Sequence, residues 1–159
     1  MQAVRPVQIA ILSRATTDAA FLAHVRQTLE EFGVTFVERF IDQREGLAAT
    51  VAALEAQGAQ IFIVANSSNT PLSTAVAPLT TKPVLAIPLE GPGLSPLQAL
   101  QTTTQAGPPV ASLAIGKAGA INAALLAVAI LGNTDAALRE KLHRFRQAQT
   151  EKVLADHLD

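Results

Sequence analysis

The sequence predicts an α/β fold in which a parallel sheet is covered by helices on both faces. Two observations predict it. Five short runs, at residues 7–12 (VQIAIL), 36–41, 61–65 (IFIVA), 84–88 (VLAIP) and 110–115 (VASLAI), are apolar almost without interruption. Runs of that length suit strands buried on both faces, as in a parallel sheet. Helix-length segments separate them, so the chain alternates strand and helix, the pattern of βαβ units with right-handed crossovers. The 159 residues fit one domain, with a core over about 7–132, and such a domain buries a full core without disulfides or metals.

The helices follow in order. Residues 18–32 carry Phe21, Leu22, Val25, Leu29 and Phe32 at helical spacing. Thr17 or Asp18 is placed to cap this helix and Gly33 to end it. Residues 47–56, 72–79 and 96–105 are shorter helices, the last with Pro96 in its first turn. Residues 118–131 (AGAINAALLAVAIL) are apolar nearly all round. A helix without a polar face is either central in the core or packed against another subunit, and small residues such as Ala124 would allow close packing there. Residues 135–158 form a long charged helix, capped by Thr134 or Asp135. Its sparse apolar stripe is Leu138, Leu142, Phe145, Val153 and Leu158.

Composition narrows the function. Hydrophobic residues make up 49% and charged residues 16%, with a net charge of −1. So little charge suggests that surface is buried against other copies. There is no basic excess to bind nucleic acid. Without cysteine there is neither a disulfide framework nor a thiolate metal site. No run approaches the ~20 apolar residues of a membrane span, and the start does not read as a signal peptide. The expectation is a soluble cytoplasmic protein with no cofactor and no metal.

In parallel α/β folds ligands sit outside the carboxyl ends of the strands. The loops to inspect are therefore residues 13–17, 42–46, 66–71 and 90–95. The three histidines, His24, His143 and His157, lie in helices and not in these loops. They read as surface or packing residues. No pair of them has metal-ligand spacing with a carboxylate partner. Neither a nucleophile elbow nor a Walker loop is present.

Residues 113–127 read LAIGKAGAINAALLA. This segment closely resembles the signature late in the sequence of the PurE family, the aminoimidazole ribonucleotide carboxylases and carboxyaminoimidazole ribonucleotide mutases. KPVLAIPL (82–89) and RQAQTEKVL (146–154) extend the resemblance, which runs from Ile9 to about Leu154. It implies a three-layer, flavodoxin-like parallel sheet with a long C-terminal helix. It also implies a homo-octamer, with the Ala-rich segment central and the tail helix laid on a neighbour.

The resemblance weakens where the family's chemistry lies. The family's first loop, Gly-Ser-x-Ser-Asp, holds ribose and phosphate. Here Ser13 is followed by Arg14-Ala15-Thr16-Thr17-Asp18. Asp18 is identical and Thr17 is a hydroxyl substitute. Asp18 reads equally as a ribose partner or as a carboxylate at a helix N-terminus. Arg14 replaces a glycine that allows close approach to a ligand; it would fill that space or offer a cation. The family's second loop, Ser-Ala-His-Arg, becomes Asp42-Gln43-Arg44-Glu45. Arg44 is either a phosphate anchor or a surface arginine, and Asp42 falls where a phosphate would be repelled. The third loop, glycine-rich and ending in His-Leu-Pro-Gly in the family, becomes residues 66–73, with Pro71 at the histidine. Asn66, Ser67 and Ser68 keep hydrogen-bonding capacity and turn tolerance. The same loop reads as a polar connection capping the next helix. The ligand-facing candidates are thus Ser13, Arg14, Thr17, Asp18, Arg44, Asn66, Ser67, Ser68 and, in the fourth loop, Leu94. Asp18 and Asp42 are the weak catalytic candidates.

Three functions compete. One is a paralogue without the standard activity, binding a different nucleotide-like ligand or a partner such as an intact PurE subunit. The second is an active mutase or carboxylase with rebuilt acid–base groups. The third is a structural oligomeric protein.

Overall fold

A computed structural model describes residues 6–42, 46–105 and 107–156. Five parallel strands form one sheet: β1 (Ile9–Ser13), β2 (Phe36–Phe40), β3 (Ile61–Asn66), β4 (Val84–Pro88) and β5 (Ala111–Ser112). Their order is β2-β1-β3-β4-β5, the doubly wound order of flavodoxin-like folds. Six helices accompany them: α1 (Ala19–Phe32), α2 (Leu47–Ala56), α3 (Leu72–Val76), α4 (Pro96–Thr103), α5 (Gly116–Leu131) and α6 (Ala136–Asp156).

The apolar runs are continuous because each strand packs both ways. Ile9, Ile11, Ile61, Ile63, Leu85 and Ile87 join one core with α1, α5 and the start of α6. Their neighbours Ala10, Leu12, Phe62, Val64 and Val84 join a second core with α2 and α3. Successive side chains leave a strand on opposite faces, so every residue of β1, β3 and β4 is buried.

Most boundaries fall within two residues of those read from the sequence. The exceptions are α3, which ends at Val76 and is followed by a 3-10 turn at Ala77–Leu79, and β5, where only Ala111 and Ser112 pair with β4, at Leu85 and Ala86. As the sheet's last strand it has one partner, and the chain must turn almost at once. Gly116, at φ +68°, opens α5, two residues earlier than expected. Helix α1 ends as predicted at Gly33 (φ +72°), whose N–H bonds to Glu30 O while Val34 N–H bonds to Leu29 O. Ser95 and Gln98 make a capping box before Pro96, and Asp135 Oδ1 accepts Leu138 N–H at 2.9 Å.

Helix α5 packs one side into this chain's own core. Gly119, Ala120, Ala123, Ala124, Ala127, Val128 and Leu131 are buried within this chain. Ala124 is therefore a core residue of this chain. Leu125 is partly buried and Leu126 is 37% exposed, so the other side of the helix faces outward. Helix α6 divides along its length. Leu138 and Leu142 are buried, and Phe145 meets Phe32 edge-on at 5.5 Å between ring centres. Lys141 Nζ donates to Phe32 O at the end of α1. Val153 and Leu154 are exposed beyond this contact. Leu158 lies outside the described residues.

Candidate functional site

The carboxyl ends of β1, β3 and β4 bring three loops together. At the first, Ser13 is buried and its carbonyl accepts Ile41 N–H at 2.8 Å, tying β1 to the end of β2. The chain then makes a 3-10 turn, Thr16–Asp18, before α1. Neither Thr17 nor Asp18 caps α1 through its side chain; Thr17 is exposed. The Asp18 carboxylate turns back and accepts Ala15 N–H at 3.3 Å. Ser67 of the third loop and the Arg14 backbone also favour its ionised form. Asp18 is 1% exposed. Burial pushes its carboxyl above the usual range, and its polar neighbours Ser67, Ala15 and Arg14 oppose that rise. Arg14 does not project freely: its Nε and Nη2 are shielded from solvent.

The third loop is held from two sides. The buried Asn66 side chain accepts Ser73 N–H at 3.1 Å and donates to Ser73 Oγ at 2.6 Å, fastening the loop to the start of α3. The Asn66 carbonyl accepts Leu89 N–H at 2.9 Å from the end of β4. Gly91 lies so close to Ser67 that a Cβ added there would be 2.0 Å from Ser67 O. Gly91 and Leu94 close a tight turn with reciprocal backbone hydrogen bonds, which buries Leu94. Ser68 is half-buried and its hydroxyl donates to Thr70 O.

The second loop contributes less that can be located. Asp42 is exposed after β2; Arg44, with Gln43 and Glu45, lies outside the described residues. Ser13, Arg14, Asp18, Asn66 and Ser67 are therefore brought to one edge, with Leu94 behind them. Asn66 spends both ends of its amide on Ser73. Sequence reading missed Gly91 and Ser73, which hold Ser67 and Asn66 in place. A glycine just after a strand, in Glu90-Gly91-Pro92-Gly93, was the available signal for the first. It also missed Phe40, 53% exposed near the carboxyl end of the edge strand β2.

Two clefts lie elsewhere. One of about 520 Å³ is lined by His24, Gln27, Lys117, Ile121 and Phe145, and another of about 530 Å³ by Arg139, Glu140, His143 and Arg146. The first lies between α1, α5 and α6 and the second along α6, so two of the three histidines line clefts away from the strand-end loops. His157 lies outside the described residues. Among the described residues, no group of three or more His, Cys, Asp or Glu is arranged to hold a metal ion.

The signature segment has a geometry of its own. Gly116 adopts a positive φ beside the Phe21 ring, and a Cβ on Gly119 would sit 1.7 Å from Ala114 O. The Gly-Lys-Ala-Gly pattern is thus required by the backbone turn from β5 into α5. A family model described as AIR carboxylase matches residues 8–152. The chain belongs to the AIR carboxylase family. The N5-carboxyaminoimidazole ribonucleotide mutase of Brucella melitensis is 36% identical over 152 residues, covering 92% of this chain and 94% of that protein. The mutase of Pseudomonas aeruginosa is 33% identical, covering 92% and 93%. The solved structure of Treponema denticola PurE superposes with a TM-score of 0.82 at 19% identity, covering 96% of each chain, which establishes the shared fold. The family places this chain in the sphere of purine biosynthesis. Pro71 is in extended conformation (φ −63°, ψ 130°) just before α3. Among the described residues, no helix is long and apolar enough to cross a membrane.

Proposed function

We propose that this chain is a PurE-like protein of the cytoplasm that has lost the family's standard carboxylase/mutase activity and binds a nucleotide-like small ligand or a partner at its carboxyl-edge loops. The observation that carries this reading is the absence of histidine from those loops. The chain has three histidines, and all lie outside residues 13–18, 42–46, 66–71 and 90–95. Proton transfer at an imidazole carbon calls for a group whose pKa lies near working pH, which histidine supplies and proline and arginine do not. The hydroxyls and amides of Thr17, Ser67 and Ser68, with Asp18 and the cations Arg14 and Arg44, suit a sugar phosphate better than a flat apolar ligand. Neither a cofactor nor a metal is needed for such binding.

A second reading has one specific observation in its favour. Asp18 is a buried carboxyl raised above its usual range, the condition in which an acid can hold and release a proton nearer neutrality. With relatives named as mutases at 33–36% identity, an active mutase using Asp18 is the alternative. Calorimetry with aminoimidazole ribonucleotide and its carboxylated forms tests the first reading: binding is expected, with the ligand recovered unchanged. Recovery of the interconverted ribonucleotide, lost in Asp18→Asn, supports the second.

We further propose that copies of the chain associate, as a homo-octamer or with an intact PurE subunit. The outward side of α5 at Leu125 and Leu126 and the exposed Val153 and Leu154 of α6 leave apolar surface that association would cover. A third, purely structural role has no observation of its own to favour it.

A further inference from the structure

We propose that Phe40 is the platform on which the flat ring of a nucleotide-like ligand stacks, while the ligand's sugar phosphate lies on the neighbouring polar loops. The proposal rests on the reading of the carboxyl-edge loops as a ligand site, and it adds that the ligand carries a planar heteroaromatic ring.

The ring's place follows from its strand. Phe36, Glu38 and Phe40 leave β2 on one face. Glu38 Oε2 accepts from Arg26 Nη1 of α1 at 2.7 Å, and Phe36 packs on the core shared with α1 and α5. That face is therefore the one α1 covers. Phe40 ends the strand, about 6.6 Å beyond the Arg26–Glu38 pair. A crossover helix runs antiparallel to its strands, so the same rise leads about four residues back along α1, into its first turns. Ala19 and Ala23 lie there on Arg26's side of the helix, and both are exposed. Side chains this small leave the ring uncovered. Phe40 is 53% exposed, while the other phenylalanines are buried or half-buried. Its register partner in β1 is Ser13, and the next residue, Ile41, donates its N–H to Ser13 O at 2.8 Å. The ring thus stands one strand spacing, about 4.8 Å, from the residue that opens the first loop. Single exposed apolar side chains are common on protein surfaces. This one is an aromatic ring at the ligand edge, with exposed charges on either side at Arg39 and Asp42. The centres of protein interfaces are depleted of charge, so a lone ring among charges fits a small flat group better than a protein face. Stacking on a π-face needs no hydrogen-bond pattern from the ring it receives.

The test is calorimetric titration of wild type, Phe40→Ala and Phe40→Leu with three probes. These are aminoimidazole ribonucleotide, ribose 5-phosphate, which lacks the ring, and aminoimidazole ribonucleoside, which lacks the phosphate. In wild type the ribonucleotide is expected to bind about 5- to 100-fold more tightly than ribose 5-phosphate. Phe40→Ala is expected to abolish that advantage and to leave the affinity for ribose 5-phosphate unchanged. Phe40→Leu, apolar but not aromatic, is expected to restore only part of it. Equal affinities for the two phosphates in wild type, or an advantage that survives in Phe40→Ala, overturns the proposal while the loops stand as a sugar-phosphate site. Ribonucleoside binding that is lost in Phe40→Ala, without binding of ribose 5-phosphate, supports the platform while the reading of the loops fails. Binding of none of the three probes overturns both.

Discussion

The turn into α5 and the loops at the carboxyl edge of the sheet belong to one small domain, yet different physics constrains their sequences. At residues 113–127 the constraint is backbone against backbone. Gly119 lies where any Cβ would strike Ala114 O, and Gly116 takes a positive φ. Few other residues could occupy either position. At the loops, the same fold is held by side chains. Asn66 grips Ser73, Asp18 accepts Ala15 N–H, and the strands beneath stay in register. Side-chain fastenings can be exchanged for others with the fold intact. The scaffold of the AIR carboxylase family can therefore persist while side chains in the loops change.

The largest expected effect comes from breaking the backbone-limited region. Gly119→Ala places a methyl 1.7 Å from Ala114 O, and neither partner is a flexible side-chain end. Denaturant unfolding is expected to show a loss above about 4 kcal/mol, or no folded protein at all. A loss below about 1 kcal/mol would mean that the turn can shift and that the contrast between the two regions is smaller than drawn.

The side-chain-limited region is expected to yield less. Asn66→Ala removes both bonds to Ser73 and leaves the buried Ser73 N–H without that partner. A loss of about 1–3 kcal/mol is expected. Gly119→Ala and Asn66→Ala, compared in one unfolding series, measure the contrast directly.

The smallest effect is the pH dependence of Asp18. Because burial raises its folded-state pKa, the protonated form favours the native state. That stabilisation is fully present below the unfolded value near 3.8 and is lost as pH rises through the higher folded value. Asp18→Asn cannot titrate, so its melting temperature relative to wild type should rise across the same window. In a domain of this size about 2–4 °C corresponds to 1 kcal/mol, which calorimetry resolves. A constant difference from pH 3 to 7 would show that Asp18 titrates normally.

Much of the fold was legible in the sequence because burial on both faces leaves a plain mark. The runs at 61–65 and 84–88 could hardly be anything but central strands. β5 was overestimated because residues 113–115 are as apolar as a strand while serving as the approach to a turn. The apolar roundness of α5 concealed a division between core and outward faces, since alanine and leucine occur on both. At the site, the sequence named the loops but not the links between them. Asp18 next to a helix start looks like a cap, and only the fold brings Ser67 to it. Asn66 looked like a ligand group, and only the fold shows Ser73 taking both ends of its amide. Gly91 acts through empty space, which leaves no residue pattern beyond the glycine itself.

The most direct measurement is turnover. The purified chain and the Brucella melitensis mutase are to be assayed together, spectroscopically, for interconversion of the carboxylated aminoimidazole ribonucleotides. Loss of positioned acid–base catalysis alone costs about 10²–10⁴-fold. A rate at least about 100-fold below that of the relative is expected; turnover within about tenfold of it would show that the standard activity is retained.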